Sequence, residues 1–98
     1  MEKRTPTYDL TSFKAAAASM AVTTTALQGA QSLGISRRGI TAVIRTMDRQ
    51  HFYKSMTSYN NQREWQDVYH VPHGDVMLYV KFVADVVTEF RLLSFKEK

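Results

Sequence analysis

The chain has 98 residues, of which 44% are hydrophobic and 22% charged, with four glycines and two prolines. This composition is typical of a folded protein rather than a disordered one, and the length suits one hydrophobic core. The absence of cysteine excludes disulfides, thiolate zinc sites and cysteine nucleophiles. We therefore expect a single domain over residues 1–98.

The formal net charge is +4, and the excess lies in the first half, with seven basic and three acidic residues in 1–50 and six of each afterwards. Such an excess indicates an anionic partner, for example a nucleic acid. The N-terminal sequence MEKRTPTYDL lacks the apolar run of a signal peptide, and no stretch approaches the ~18 apolar residues of a membrane span. We expect a cytoplasmic protein without membrane contact.

The first half of the chain is predicted to be helical. A first helix of about three turns would carry four apolar side chains on one face: Leu10, Phe13, Ala17 and Met20. Asp9 or Thr11 can cap its start. The β-branched run 23–25 predicts an extended link that ends in the N-cap of a short second helix, which Gly34 terminates.

Ser36 can cap a third predicted helix, which ends near Asp48. Its apolar face consists of Ile40, Val43, Ile44 and Met47. Arginines lie on or around this helix: Arg37, Arg38, Arg45 and Arg49.

From His51 onward the hydrophobic period changes toward two, which is typical of strands. The clearest strand is 76–83, and a turn at 72–74 connects it to an earlier strand around 65–69. A last strand over 90–96 completes an antiparallel sheet of three or four strands. Helices followed by strands predict an α+β fold, with the N-terminal helices packed on one face of a C-terminal antiparallel sheet and the other face free to bind a ligand.

Alternation along the strand 76–83 places Tyr79 and Lys81 on the face opposite its most apolar residues. That face is therefore a candidate site. Trp65, a single tryptophan next to a strand, is expected to belong to the core.

Several common site types are not supported by the sequence. His51, His70 and His73 include the HVPH pair, but Pro72 and the missing third ligand argue against a metal site. No serine lies in a GxSxG context, and the scattered glycines form neither GxGxxG nor GxxxxGK. We expect no metal and no other cofactor.

Lysine, tyrosine and glutamine side chains remain on the predicted strands: Lys54, Gln66, Tyr79, Lys81 and Lys96. Such a surface suits a phosphodiester backbone with stacked bases. The same pattern also fits a solvated face with structural tyrosines, so the residue types alone leave both interpretations open.

Five blocks distributed along the chain carry a family resemblance: MEKRTP at the start, FYKSMTSY at 52–59, WQDVY at 65–69, LYVK at 78–81 and SFKEK at the end. Together they closely resemble the MqsR toxin family, which the chain also matches in length. This family belongs to the RelE-like toxins of type II toxin–antitoxin systems. The resemblance implies one RelE-like toxin domain over residues 1–98.

The resemblance further implies an endoribonuclease that cleaves mRNA at short GC-containing sequences without the ribosome, which inhibits translation and growth. An MqsA-like antitoxin would hold it inactive and provide any indirect contact with promoter DNA. The family's catalytic set falls on Lys54, Gln66, Tyr79 and Lys96. Tyr53 and Lys81 are the further candidates for RNA binding.

These residue types suit metal-independent RNA cleavage, in which the ribose 2′-hydroxyl attacks the adjacent phosphate. Lys54 and Lys96 would donate cationic hydrogen bonds to the phosphate, and their proximity is expected to lower the pKa of one of them. Tyr79 is expected to exchange a proton with the hydroxyl or the leaving oxygen, with lysine charge favouring its phenolate. Gln66 would orient the phosphate or a base. The general acid and the general base stay unassigned.

Residues 26–50 and 83–92 show little of the family pattern. Loops and the basic third helix could therefore set the antitoxin contact and base recognition, and an exposed apolar patch would be compatible with a surface that the antitoxin covers. Two other functions stay open: a basic RNA- or DNA-binding module that does not cut, and a corepressor that acts only through a protein partner.

Overall fold

The structure is a computed structural model that describes residues 1–98. Its helices are α1 (Leu10–Ala15), α2 (Thr24–Gln31) and α3 (Arg37–Arg45), followed by one 3₁₀ turn (Arg49–His51). Its strands are β1 (Glu2–Lys3), β2 (Ala21–Val22), β3 (Phe52–Thr57), β4 (Trp65–His73), β5 (Val76–Asp85) and β6 (Glu89–Glu97). The helices precede the long strands, which confirms the α+β prediction. None of the helices is long and apolar enough to span a membrane.

The six strands form one sheet in the order β1-β3-β4-β5-β6-β2. The four long strands β3 to β6 are antiparallel neighbours, whereas β2 runs parallel to β6. The prediction of three or four antiparallel strands describes the long strands and misses the two edge strands. Each edge strand has only two residues, too few to show a hydrophobic period.

The core is a cluster of 19 buried residues between the helices and one face of the sheet. On β5 it contains Leu78, Val80 and Phe82, which is the apolar face predicted by alternation. Phe13 of α1 stacks on Phe82 with the ring centres 3.6 Å apart. Because the helices cover this face, the opposite face of the sheet is open to solvent.

The first helix is shorter than predicted, since α1 ends at Ala15 and the following residues form turns. Arg37 of α3 donates hydrogen bonds to the carbonyl oxygens of Ala17 at 2.9 Å and Met20 at 3.2 Å. These carbonyls therefore have partners without a continuing helix. Phe13, Ala17 and Met20 are all buried, as the predicted helix face requires.

The predicted cap of the third helix is confirmed, whereas the extended link over 23–25 is wrong, because α2 begins at Thr24 with Thr23 as its N-cap. The side chain of Thr23 accepts from the Ala26 amide and that of Ser36 from the Gly39 amide, both at 3.1 Å. Gly34 adopts a φ of 74° after α2, a conformation that few residues other than glycine tolerate. The third helix ends at Arg45 rather than near Asp48.

Two expectations for the sheet are wrong. β4 continues through Pro72 and His73, so the turn to β5 consists of Gly74, with a φ of 58°, and Asp75. Trp65 lies outside the core and is only half-buried, with Lys3 Nζ 4.3 Å from its ring centre. Trp65 is the first residue of β4 and pairs with Thr57 at the end of β3, so it lies at the periphery of the sheet.

Exposed apolar side chains are also present in a loop. Val86 and Val87 lie in the loop between β5 and β6 and are 103% and 86% exposed.

Candidate active site

Tyr79 occupies the middle of the open sheet face. It is paired with His70 of β4 on one side and with Lys96 of β6 on the other. Paired residues on neighbouring strands project from the same face, so the three side chains form a row across three strands. Lys96 Nζ lies 5.4 Å from the centre of the Tyr79 ring.

A second row runs beside the first. Lys54 of β3 pairs with Val68 of β4, and Val68 pairs with Lys81 of β5. Gln66 lies two residues before Val68 and therefore projects from the same face. The open face thus brings together the four residues that the family resemblance assigns to catalysis: Lys54, Gln66, Tyr79 and Lys96.

A β-bulge in β3 shapes one side of this face. Phe52 pairs with Tyr69 and Lys54 with Val68, which leaves Tyr53 as the extra residue. Such bulges redirect a side chain locally. Tyr53, 40% exposed, stacks on His70 with the ring centres 4.2 Å apart and 22° between the planes. The bulge therefore allows both Tyr53 and Lys54 to reach the open face.

A second irregularity in β6 positions Lys96. Lys81 pairs with Ser94 and Phe82 with Leu92, so Leu93 is the extra residue. With this insertion, Leu92 and Phe95 both contribute to the core. Lys96 then follows on the opposite face, directly beside Tyr79.

Lys54 forms an ion pair across the edge of the sheet. Its Nζ donates a hydrogen bond to Glu2 Oε2 of β1 at 3.0 Å. The pKa of the Glu2 carboxyl is lowered by this hydrogen bond and by the charge of Lys54. The ammonium of Lys54 is therefore oriented over the open face in the free protein.

Tyr79 is half-buried, and burial raises the pKa of its phenol above the ordinary value. The charge of Lys54 acts in the opposite direction but is the smaller effect. Lysine charge thus favours the phenolate, as expected, but burial outweighs it and the net shift of the pKa is upward. The protonated phenol is a hydrogen-bond donor near neutral pH.

The pKa of Lys81 on this face is lowered, first by burial and then by the charge of Lys96. Lys81 and the nearly buried Gln66 line a cavity of ≈ 550 Å³. The other lining residues come from the chain terminus, β3 and the following loop: Met1, Met56, Thr57, Ser58, Tyr59 and Gln62. Tyr59 is 99% exposed, so this cavity offers polar groups and a free aromatic ring beside the lysines.

His70 is the residue of this face that sequence reasoning missed. It lies between Tyr53 and Tyr79, with its ring centre 6.0 Å from that of Tyr79. In the sequence, the HVPH run suggested a shared metal site for His70 and His73. However, His73 lies near α3 on the helix side of the sheet, opposite His70. Alternation along β4 could have identified His70, because it places this residue on the same face as Gln66.

The basic third helix does not contribute to this face, because α3 packs on the opposite side of the sheet. Its Arg37 donates hydrogen bonds to the carbonyl oxygens of Ala17 and Met20 and, at 2.8 Å, to the Thr41 hydroxyl. No group of three or more His, Asp or Glu side chains comes together as a metal site would require. The open face instead combines ammonium groups, phenols, an imidazole and a carboxamide, which can hold a phosphate and transfer protons.

Two comparisons with known proteins identify the family of the chain. The sequence model of the family described as "Motility quorum-sensing regulator, toxin of MqsA" matches residues 5–97. The chain is also 39% identical over 102 aligned residues to the mRNA interferase toxin MqsR of Escherichia coli K12, with 100% of both chains covered. The chain therefore belongs to the MqsR toxin family.

Proposed function

We propose that this protein is the toxin of a type II toxin–antitoxin system and an endoribonuclease that cleaves mRNA. The observation that carries this proposal is the convergence of Lys54, Gln66, Tyr79 and Lys96 on one open sheet face. Family membership supports it independently, because the aligned relative from Escherichia coli is an mRNA interferase.

In the proposed reaction the ribose 2′-hydroxyl attacks the adjacent phosphorus and the bond to the 5′-oxygen breaks. Lys54 and Lys96 stabilise the charge that develops on the phosphoryl oxygens. Tyr79, whose raised pKa keeps it protonated, donates a proton to the leaving 5′-oxygen. Gln66 orients the phosphate or a base through its carboxamide.

The RNA itself would lie along the same face. Tyr53 offers an exposed ring for base stacking, and Lys81 offers a cation beside the cavity. We propose that cleavage requires neither a metal ion nor the ribosome and occurs at short GC-containing sequences, as the family resemblance implies. The mRNA substrate places this activity in the cytoplasm.

We further propose that an MqsA-like antitoxin binds and inactivates the toxin, because the family is described as the toxin of MqsA. Any contact with promoter DNA would then be indirect, through the antitoxin. The whole chain, residues 1–98, would act as one RelE-like toxin domain.

The test is to incubate the purified, antitoxin-free protein with a defined mRNA in EDTA, without ribosomes, and to map the new 5′ ends. Wild type should produce discrete cuts, and Tyr79→Phe should bind the RNA but not cut it. Intact RNA with the wild type would contradict ribosome-independent cleavage. Repeating the assay with translating ribosomes then distinguishes a ribosome-dependent nuclease from a binding module without activity.

A further inference from the structure

His70 is enclosed by groups of the open face. Tyr53 from β3 stacks on one side of its ring, at 4.2 Å between centres, and Tyr79 from β5 lies on the other side at 6.0 Å. Lys98 follows β6 and contributes a positive charge near the imidazole. Lys54 and Lys96 lie over the two flanking tyrosine rings, each 5.4 Å from a ring centre. The imidazole therefore has two aromatic neighbours, and lysine side chains provide the positive charge around it.

The reaction needs a group that accepts the proton of the 2′-hydroxyl near neutral pH. The phenol of Tyr79 is unsuitable because burial raises its pKa and keeps it protonated. Lys81 has a lowered pKa, but it starts from the high value of a lysine. Imidazole is the side chain whose ordinary pKa lies closest to neutrality, and His70 is the histidine on this face.

We propose that His70 is the general base of the cleavage reaction and removes the proton from the attacking ribose 2′-hydroxyl. This inference rests on the proposed endoribonuclease activity. The 2′-oxygen forms a bond to phosphorus, the bond from phosphorus to the 5′-oxygen breaks, and Tyr79 protonates that oxygen. The products are a 2′,3′-cyclic phosphate and a 5′-hydroxyl. Water then returns the proton from the imidazolium to the tyrosinate, so protons balance.

The charge state of His70 suits this role. Burial and, secondly, the charge of Lys98 lower the pKa of the imidazole below its ordinary value of about 6.5. Tyr53 and Tyr79 are the other titratable side chains whose rings lie beside the imidazole. The free base therefore predominates at neutral pH, and protonation abolishes its function only in acid.

The experiment compares the pH dependence of cleavage for wild type and His70→Gln between about pH 5 and pH 8, with kcat and KM measured separately. Wild-type kcat should rise with pH through an apparent pKa below about 6.5. His70→Gln should lose this acidic limb and should be roughly 100-fold slower at neutral pH. The matched control His73→Gln, at an exposed position on the same strand, should retain the wild-type profile.

A variant that cuts slowly but keeps the acidic limb would overturn the proposal and leave His70 as a stacking partner of Tyr53. If the variant does not fold, wild type provides the test through NMR titration of its three histidines. Signals lost in His51→Gln and His73→Gln identify the other two, and the remaining pKa must equal that of the pH profile of kcat/KM, which reports the free protein. A mismatch rejects His70 as the base. Failure of wild type to cut RNA would instead reject the proposed function itself.

Discussion

Lys54 Nζ lies 3.0 Å from Glu2 Oε2, so a lysine of the proposed catalytic set is already paired with a carboxylate in the free protein. The lysine side chain is 19% exposed, whereas that of Glu2 is 55% exposed. An RNA phosphate that approaches Lys54 must share the ammonium with this carboxylate or displace it. The N-terminal edge strand thus competes with the substrate.

Glu2→Gln should therefore strengthen RNA binding. Exposed ion pairs are weak, so the expected decrease in KM is about two- to fivefold, with little change in kcat. The control Asp75→Asn removes the same charge from the exposed turn between β4 and β5 and should change KM less. Steady-state cleavage of a short RNA at low salt measures both variants. An increase in KM for Glu2→Gln would mean that Glu2 orients Lys54 productively instead.

Lys81 is predicted to reduce stability while it supports binding. Its pKa is lowered by burial and by Lys96, so the folded protein binds this proton less tightly than the unfolded chain does. Stability therefore rises with pH between the lowered pKa and about 10.4, the value in the unfolded chain. Lys81→Met should remove this rise and increase Tm at neutral pH.

The same variant should bind RNA more weakly, with the slope of log K against log salt smaller by about 0.7 if Lys81 contacts one phosphate of a single strand. Lys14→Met, on the helix side of the sheet, makes the same charge change and should leave that slope nearly unaltered. Thermal melts and salt-dependent fluorescence titrations provide both measurements. A lower Tm for Lys81→Met would show that the aliphatic stem packs better than methionine does.

Much of the open face could be predicted because the period of a strand is two. Alternation along β5 placed Tyr79 and Lys81 together and opposite the core, and the structure agrees. The positions of Lys54 and Lys96 depend instead on strand order and on the extra residues Tyr53 and Leu93. Bulges depend on how two strands pair, so no single-strand pattern reveals them.

In the helical half, the sequence predicted which residues are buried but not where each helix ends. The apolar face of α1 was predicted correctly, whereas its length was not, because the carbonyls of Ala17 and Met20, beyond the end of α1, accept hydrogen bonds from Arg37 in a distant segment instead of continuing the helix. In the sequence this arginine was only one of several basic residues on or around the third helix. Long-range hydrogen bonds of this kind override local helix propensity, and composition alone does not distinguish them from surface charges.

The hydroxyl of Tyr69 is predicted to lower the free energy of unfolding. The residue is fully buried, and its hydroxyl has no hydrogen-bond partner. An unsatisfied buried hydroxyl costs about 1–3 kcal/mol, so Tyr69→Phe should raise the free energy of unfolding by ~1 kcal/mol. Tyr8→Phe is the matched control, because the Tyr8 hydroxyl donates to the Trp65 carbonyl at 2.7 Å and its loss should destabilise. Urea unfolding compares them, and destabilisation by Tyr69→Phe would reveal a partner for the hydroxyl.

Alkaline unfolding should reflect the same tyrosine. Burial raises the pKa of Tyr69 to about 12, whereas the phenol titrates near pH 10 in the unfolded chain. Below about pH 10 the phenol is protonated in both states and wild-type stability does not depend on its titration. As the pH rises toward 12, the unfolded chain loses this proton first, so the free energy of unfolding of wild type decreases. The stability advantage of Tyr69→Phe over wild type should grow across this range. Tyr59→Phe, at a 99% exposed position, should follow wild type, and parallel pH curves for all three proteins would contradict the assignment.

Gly29 allows α2 to lie directly against β6 behind the proposed site. A Cβ at this position would collide with the carbonyl group of Phe95, 3.2 Å from its carbon, and would lie 3.3 Å from Lys96 Cβ. Gly29→Ala must therefore displace the helix or the strand that carries Lys96. Such overpacking costs about 1–3 kcal/mol, which outweighs the ~1 kcal/mol that alanine gains from helix propensity.

The expected result for Gly29→Ala is lower stability together with a loss of cleavage activity that persists well below the melting temperature, because Lys96 moves relative to Tyr79. Gly39→Ala is the matched control, since its added Cβ would meet only side-chain atoms of Ile35 and Ser36 and none of β6. This control should leave activity near wild type. Urea unfolding and cleavage rates at a fixed temperature decide the question. A more stable and fully active Gly29→Ala protein would mean that helix propensity dominates and that β6 tolerates the added methyl group.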